Sequence, residues 1–524
     1  MSLLGQRILT RASSQAGFTM IITIGVLLIT SLLLVASFTA ANGDVNISRT
    51  SVYQQQAYYA ALSGVQEYEY KLEENADYWE TCNPLSSAEE SSERYEVSLL
   101  PAETAKGAEC KTNPAEAIIE SSGSASNTFR ILSTGCAGKS GLTSCPAKSE
   151  GNVEVRSIVA TFKVTGFLNY VYFTQYEDVD PALTGKSTSV CEKYYEEKGV
   201  KRASECETLI FTKEDSVNGP MHTDDAANVT CSKELTFGRN GHTPADPVEI
   251  NGGTWPSCGS SEPTYYTESK TYSKGIELTP PESDESLGSY VESGYRYKGL
   301  TRLVLNGSSN QIAVYTWGSN TWTKKEVSWP SNGLIYVESN GACSFKYSDT
   351  ENDYNGSTSK LNEMEKCGTV YVEGTYSKSL TIAATNDVII TNSIYPTSVA
   401  GKLGSAPSGT NTLGLIATNF VRVYHPTGVN ESSDISEPFI YAAILSTSHS
   451  FVVDAYSSGK KLKDLNVYGA IAQKFRGPVG VVGGAGYTKE YTYDQRLVAE
   501  EPPYFLPPLK SGWKVSRETL AKAG

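Results

Sequence analysis

The common catalytic signatures are missing from this chain. It has no G-x-S-x-G, no H-E-x-x-H, no phosphate-binding P-loop and no G-x-G-x-x-G after a strand-like run, so no motif-borne hydrolase, zinc-peptidase or nucleotide chemistry is signalled. Histidine and methionine are scarce, with four of each in 524 residues. None of the ten cysteines forms a C-x-x-C, so zinc-ribbon and thioredoxin-like readings fail. Positive charge is in deficit, 44 Lys and Arg against 58 Asp and Glu, for a net charge of -14. An acidic surface repels phosphate backbones, so no nucleic-acid partner is expected.

Tyrosine is abundant instead, at 33 residues, and Gly, Ser and Thr are plentiful. That composition suits a β-rich extracellular protein better than a helical cytosolic enzyme. The length allows several domains at roughly 100–200 residues each. The cysteines are Cys82, Cys110, Cys136, Cys145, Cys191, Cys206, Cys231, Cys258, Cys343 and Cys367. Their even number and short polar spacings predict a disulfide set made in an oxidising compartment. Pairing in sequence order is the expectation, although sequence does not fix connectivity.

Charge is absent over residues 18–41, a run of 24. That exceeds the roughly 20 residues needed to span a bilayer core and the roughly 7–15 of a signal-peptide apolar region. Thr39-Ala40-Ala41 keeps a signal-peptide cleavage site open as an alternative. Arg7 and Arg11 precede the run and no acid does, which predicts a cytoplasmic N-terminus and an exported body. The following "RTSVYQQQAYYAALSGVQEYEYKL" spaces Tyr58, Ala61, Leu62, Val65, Tyr68 and Leu72 as one helical face. A single helix over about residues 18–75 is predicted, on the order of 85 Å long.

The junction Gly17-Phe18-Thr19-Met20-Ile21 follows a short polar leader carrying two arginines. It resembles the cleavage site of type IV prepilins. The resemblance implies cutting after Gly17 by a prepilin peptidase and N-methylation of Phe18. It also implies a helix whose first half packs in a fibre core, or in lipid before assembly, and whose second half packs on its own head. Most pilins carry glutamate as the fifth residue after the cut; this chain has Ile22. That departure resembles minor, tip-capping subunits, notably PilX-like minor pilins and the large tip pseudopilin of type II secretion. The PilX-like match covers roughly residues 15–75. The C-terminal half resembles large pilus-assembly proteins of actinobacteria and other Gram-positive bacteria, which implies no activity.

Residues 95–100, 129–135 and 153–164 alternate or run apolar as strands do. They predict a small antiparallel sheet over 76–165. Residues 166–181 read as a strand and turn, with Glu177, Asp178 and Asp180 as a non-specific acidic group. His222, Asp224 and Asp225 form the one local cluster of metal or acid–base type in the middle region, 166–332, which is disulfide-bonded and loop-rich; a capped turn is the plainer reading. From 333 onward short apolar runs recur. Ala384-Thr385-Asn386, Ala417-Thr418-Asn419 and Ser446-Thr447-Ser448 align at offsets of 33 and 29 residues, which predicts a β-solenoid-like domain over 333–524; a β-sandwich is the alternative. Pro502, Pro503, Pro507 and Pro508, with Tyr504, Phe505, Leu506 and Trp513, are expected to cap its end.

Asp349, Glu351, Asp353 and Asn355 alternate like calcium ligands, but the glycine and glutamate of such a loop are misplaced, Lys360 standing where the glutamate belongs. A solvated acidic loop is the plainer reading, and no cofactor is expected. His425, His449, Asp387, Asp454 and Asp464 form no recognisable carboxylate pair of the kind polysaccharide hydrolases need. The fold class expected is therefore mainly β with one long N-terminal helix: leader 1–17, assembly helix 18–75, pilin-like antiparallel sheet, disulfide-bonded middle, solenoid-like end. The function expected is that of a minor, non-enzymatic pilin-like subunit. Its partners are other pilin subunits, the prepilin peptidase, the membrane, and a surface glycan or protein. An uncut membrane-anchored adhesin or scaffold, and an anchored polysaccharide-active enzyme, are the alternatives.

Overall fold

A computed structural model describes residues 16–75, 78–81, 85–87, 91–100, 128–197, 200–347, 358–425 and 435–521. The chain is mostly β, with one long N-terminal helix. It divides into two compact units. The smaller holds the helix, a five-stranded sheet and the C-terminal tail from Lys514; the larger is essentially Val164–Trp513. The boundary expected at 332/333 is not a division of the structure, because Thr301–Asn306 pairs in parallel with Val370–Tyr376 across it.

In the smaller unit the helix α1, Ala16–Glu74, runs for 59 residues, about 88 Å at 1.5 Å per residue. Its second half buries Ala57, Ala60, Ala61, Val65, Tyr68 and Leu72, a stripe at spacings of three and four. The expected face members Tyr58 and Leu62 are only half-buried, at the margin of that stripe. The stripe is narrow because small residues let the sheet come close. Ser133 Oγ donates to Ala61 O at 2.7 Å. A Cβ on Gly135 would stand 2.0 Å from Ala57 O, so only glycine fits where strand and helix backbones meet. Further along, Phe129 stacks on Phe162 and on Trp79 at centroid distances of 5.2 and 5.5 Å, with Tyr68 edge-on to Phe129.

The sheet runs Leu85–Ser86, Ser91–Leu100, Thr128–Leu142, Glu154–Val164, Trp513–Leu520. The first three neighbouring pairs are antiparallel. The strands read at 95–100, 129–135 and 153–164 are all present within it. Its fifth strand comes from the tail, which was expected to cap the other domain: Ala521 N donates to Ser157 O at 2.9 Å.

The larger unit is built mainly from parallel ladders, with one antiparallel meander of Thr301–Asn306, Gln311–Gly318 and Thr321–Ser328. One ladder runs, in spatial order, Arg296–Lys298, Leu334–Glu338, Leu380–Ala384, Leu413–Ala417, Phe439–Ser446, Lys461–Arg476, Tyr172–Val179, Met221–Thr223, Val248–Ile250. A second takes Thr301–Asn306, Val370–Tyr376, Val388–Pro396, Val421–Val423 and Phe451–Val453. A third continues from Lys461–Arg476 through Gly486–Tyr493, Ser216–Asn218, Thr236–Phe237 and Thr264–Tyr265. Leu380, Ile382 and Ala384 face the shared core. Ala383, Ile416 and Leu445 point the other way, into a second cluster with Phe167, Tyr170 and Leu278. Strands buried on both faces read as unbroken apolar runs, which is why alternation is lost from about 380 onward.

The three aligned triplets stack as their offsets imply. Ala384 pairs with Ala417 and Ala417 with Ser446. Asn419 Nδ2 donates to Asn386 Oδ1 at 2.6 Å, and Thr418 N and Thr447 N donate to the alanine carbonyls one strand back. Pro503 accepts a hydrogen bond from Thr381 Oγ1, and Phe505 and Leu506 pack on the outward cluster. Residues 502–506 therefore run along the first ladder rather than across an end.

Sequence order and spatial order differ. Tyr172–Val179 is the first long strand of the unit, yet it lies mid-ladder, between Lys461–Arg476 and Met221–Thr223. The chain thus builds one half-stack over residues 172–265, crosses to the far end, and returns over 296–493 to meet its own beginning. Where it enters and leaves the unit, Thr165 N donates to Gly512 O at 2.7 Å, so the larger unit is an insertion with adjoining ends.

Candidate functional site

The exposed half of α1 is the first candidate. Met20–Thr39 has a mean hydropathy of 2.6 and none of it is buried against the rest of the chain. At 20 residues it is long and apolar enough to cross a membrane by length and composition. Leu27, Leu34 and Phe38 are each about two-thirds exposed or more, at 68, 70 and 72 %. Thr23, Thr30, Ser31, Ser37 and Thr39 return their hydroxyls to carbonyls three or four residues back, so the span presents few open polar groups. Gly17 and Phe18 lie in the first turn of the helix. Arg7 and Arg11 lie outside the described residues.

Among the described residues four disulfides are present: Cys136–Cys145, Cys191–Cys206, Cys231–Cys258 and Cys343–Cys367. These are four of the five pairs expected. Cys82 and Cys110, and the acidic loop of Asp349, Glu351, Asp353 and Asn355, lie outside the described residues. Asp178 comes within ligand distance of Cys191 and Cys206, but both sulfurs are spent in their disulfide.

The middle-region cluster is real and fully buried. His222 lies on the strand Met221–Thr223, with Nδ1 2.8 Å from Glu249 Oε2 and Nε2 2.9 Å from Asp224 Oδ1. Both ring nitrogens face carboxylates, so an imidazolium donating to both satisfies the site. Burial pulls its pKa down, and the bonds to Asp224 and Glu249 outweigh that and leave it raised. Tyr170 OH donates to Glu249 at 2.7 Å. Asp225 accepts from Arg202 Nη1 at 2.6 Å and from the backbone N of Glu177 and Ala226. A sealed cluster with its oxygens engaged holds segments together; it offers no open ligand position.

The remaining candidates are held the same way. Arg422, on Val421–Val423, lies between Asp454 at 2.8 Å and Asp387 at 3.1 Å, with its guanidinium 3.8 Å over the Tyr347 ring, and all of the ion-pairing atoms are buried. His425 Nδ1 donates to Asp454 O at 3.0 Å. Asp387 and Asp454, unpaired in the sequence reading, are therefore brought together by an arginine. His449 Nδ1 meets Asp180 Oδ2 at 3.0 Å, joined by Ser450 Oγ. Asp464 is exposed. Arg202 and Arg422 leave no signal in the sequence, because a buried arginine is recognisable only once its distant acids are placed.

No family model, curated protein or solved structure matches the chain.

Proposed function

We propose that this chain is a minor, pilin-like subunit of a type IV pilus-like fibre, acting at a tip or initiating complex in assembly, adhesion or both. The observation that carries the reading is α1 itself. One continuous helix is packed on an antiparallel sheet in its second half and bare and apolar in its first. A bare apolar surface of this length needs lipid or neighbouring copies of the same helix to cover it. The Gly17-Phe18 junction at its start suits a prepilin peptidase, which makes the first half an assembly handle after cutting. Before assembly the chain would be a single-pass, N-in membrane protein; afterwards it would be at the cell surface, where disulfides are stable.

The larger unit then serves as the head. Its repeated parallel rungs, with the Asn and Thr corners, support a β-solenoid-like reading. A head of this size does not tile along a fibre, which favours a tip. The carboxylates and histidines held in buried ion pairs favour a structural role over catalysis.

The deciding experiment is the mature N-terminus, read by intact mass and N-terminal peptide analysis in a host with a prepilin peptidase. A methylated start at Phe18, lost in Gly17→Ala, is expected. A retained Met1 would overturn the pilin reading and leave a membrane-anchored surface protein. A start near Asn42 would make the span a signal peptide.

A further inference from the structure

The larger unit carries an open cleft of about 460 Å³ beside Thr264–Tyr265, the last strand of the third ladder. That volume lies in the range of about 300–1,000 Å³ usual for small-ligand sites. Its lining includes Lys233, Arg239, His242, Tyr265, Tyr266 and Lys270, and no Asp or Glu. In a chain of net charge -14, a cleft lined by two lysines and an arginine with no acid is set to attract anions.

The walls are fixed in advance. Arg239 is clamped to Asp246 through Nε at 2.8 Å and Nη2 at 2.5 Å. His242 Nδ1 donates to Pro244 O at 2.7 Å, and Gln495 Nε2 donates to His242 Nε2. Tyr265 is stacked on Phe237 at 5.6 Å. Lys270 adopts a left-handed φ of 57°, costly for any residue but glycine. Thr267 Oγ1 holds that turn, donating to Thr271 O at 2.7 Å and accepting from Thr271 N at 3.1 Å. Lys233 and Lys270 are exposed and make no ion pair among the described residues, so their ammonium groups are left for a ligand.

We infer that this cleft binds an anionic saccharide. The lysines would receive its carboxylate or phosphate, and the half-exposed Tyr266 ring would take the apolar face of a sugar. The cleft deepens the adhesive reading and rests on it for its biological meaning.

The test is calorimetric titration of the detergent-solubilised full chain with polygalacturonate, phosphomannan and neutral dextran. Binding to an anionic polymer but not to dextran is expected, weakening steeply between about 50 and about 500 mM NaCl. Polygalacturonate alone would identify a carboxylate-bearing saccharide, phosphomannan alone a phosphate-bearing one. The double variant Lys233→Ala/Lys270→Ala should lose about tenfold or more in affinity, with an unchanged melting temperature. Tyr266→Ala should weaken binding too; if it does not, the saccharide assignment is overturned. Binding of neither polyanion, equal binding of dextran, or wild-type affinity in the lysine variant would overturn the site. None of these outcomes depends on cutting after Gly17, so binding without maturation would sink the pilin reading alone, and maturation without binding the cleft alone.

Discussion

Arg476 Nη1 lies 3.0 Å from Glu177 Oε2, both side chains sealed from solvent, although 299 residues separate them in the chain. The guanidinium also lies 3.6 Å over the Phe211 ring and donates to Leu209 O. Tyr172 OH donates to the other oxygen of Glu177 at 3.0 Å. Gln473–Thr174 and His449–Asp180 cross the same junction. This row of polar bonds fastens the returning half-stack onto the first.

Removing one member of the pair should be far worse than removing both. Arg476→Met leaves Glu177 buried without its counter-charge, at a cost of about 3–5 kcal/mol. Arg476→Met with Glu177→Leu should recover most of that loss. Urea midpoints of the three proteins would decide; a double variant no better than the single would mean that Arg476 acts through its carbonyl and ring contacts.

Asp178 has a different character. Its Oδ1 is 3.6 Å from Arg202 Nη1, and burial pushes its pKa up to about 8, with Arg202 opposing and Asp225 adding to the rise. In the unfolded chain it ionises near pH 3.9. Between those values only the folded state holds the proton, so Asp178 makes stability fall as pH rises through this window. Asp178→Asn should therefore gain more stability at about pH 9 than at about pH 5. An equal shift in denaturation midpoint at both pH values would refute this.

In the smaller unit Gly135→Val should push α1 off its sheet. The added carbons would meet Ala57 O and Ala61 N, neither of which can move without the helix. A loss of about 1–3 kcal/mol or more is expected. Faster amide hydrogen exchange at Ala57–Leu72, with the larger unit unchanged, would be the signature.

Peptide mapping without reduction should recover the four disulfides, 136–145, 191–206, 231–258 and 343–367. Cys231 and Cys258 are 27 residues apart, so replacing both by serine should cost roughly 2–4 kcal/mol. A Cys231–Cys206 linkage, or any other cross-pair, would contradict the fold.

The sequence was most readable where neighbours in the chain are neighbours in space. The helix stripe of Ala61, Val65, Tyr68 and Leu72, the strands of the small sheet, the neighbouring disulfides and the Ala-Thr-Asn corners all satisfy that condition. The middle region was opaque because its strands, such as Met221–Thr223 and Thr236–Phe237, are two or three residues long and show no period. The polar networks were opaque for another reason. Glu177 and Asp180 look like a loose acidic group until Arg476 and His449 arrive from the far end of the chain. His222 was visible with Asp224, two residues away, but Glu249 was not.

The mid-ladder position of Tyr172–Val179 has a consequence for biosynthesis. Its partner edge is made 299 residues later, which at 5–20 residues per second is a delay of about 15–60 s. Throughout that interval the unpaired edge of Tyr172–Val179 is open to any other chain that reaches it. Mispairing at this edge is therefore expected to grow with the crowding of nascent copies.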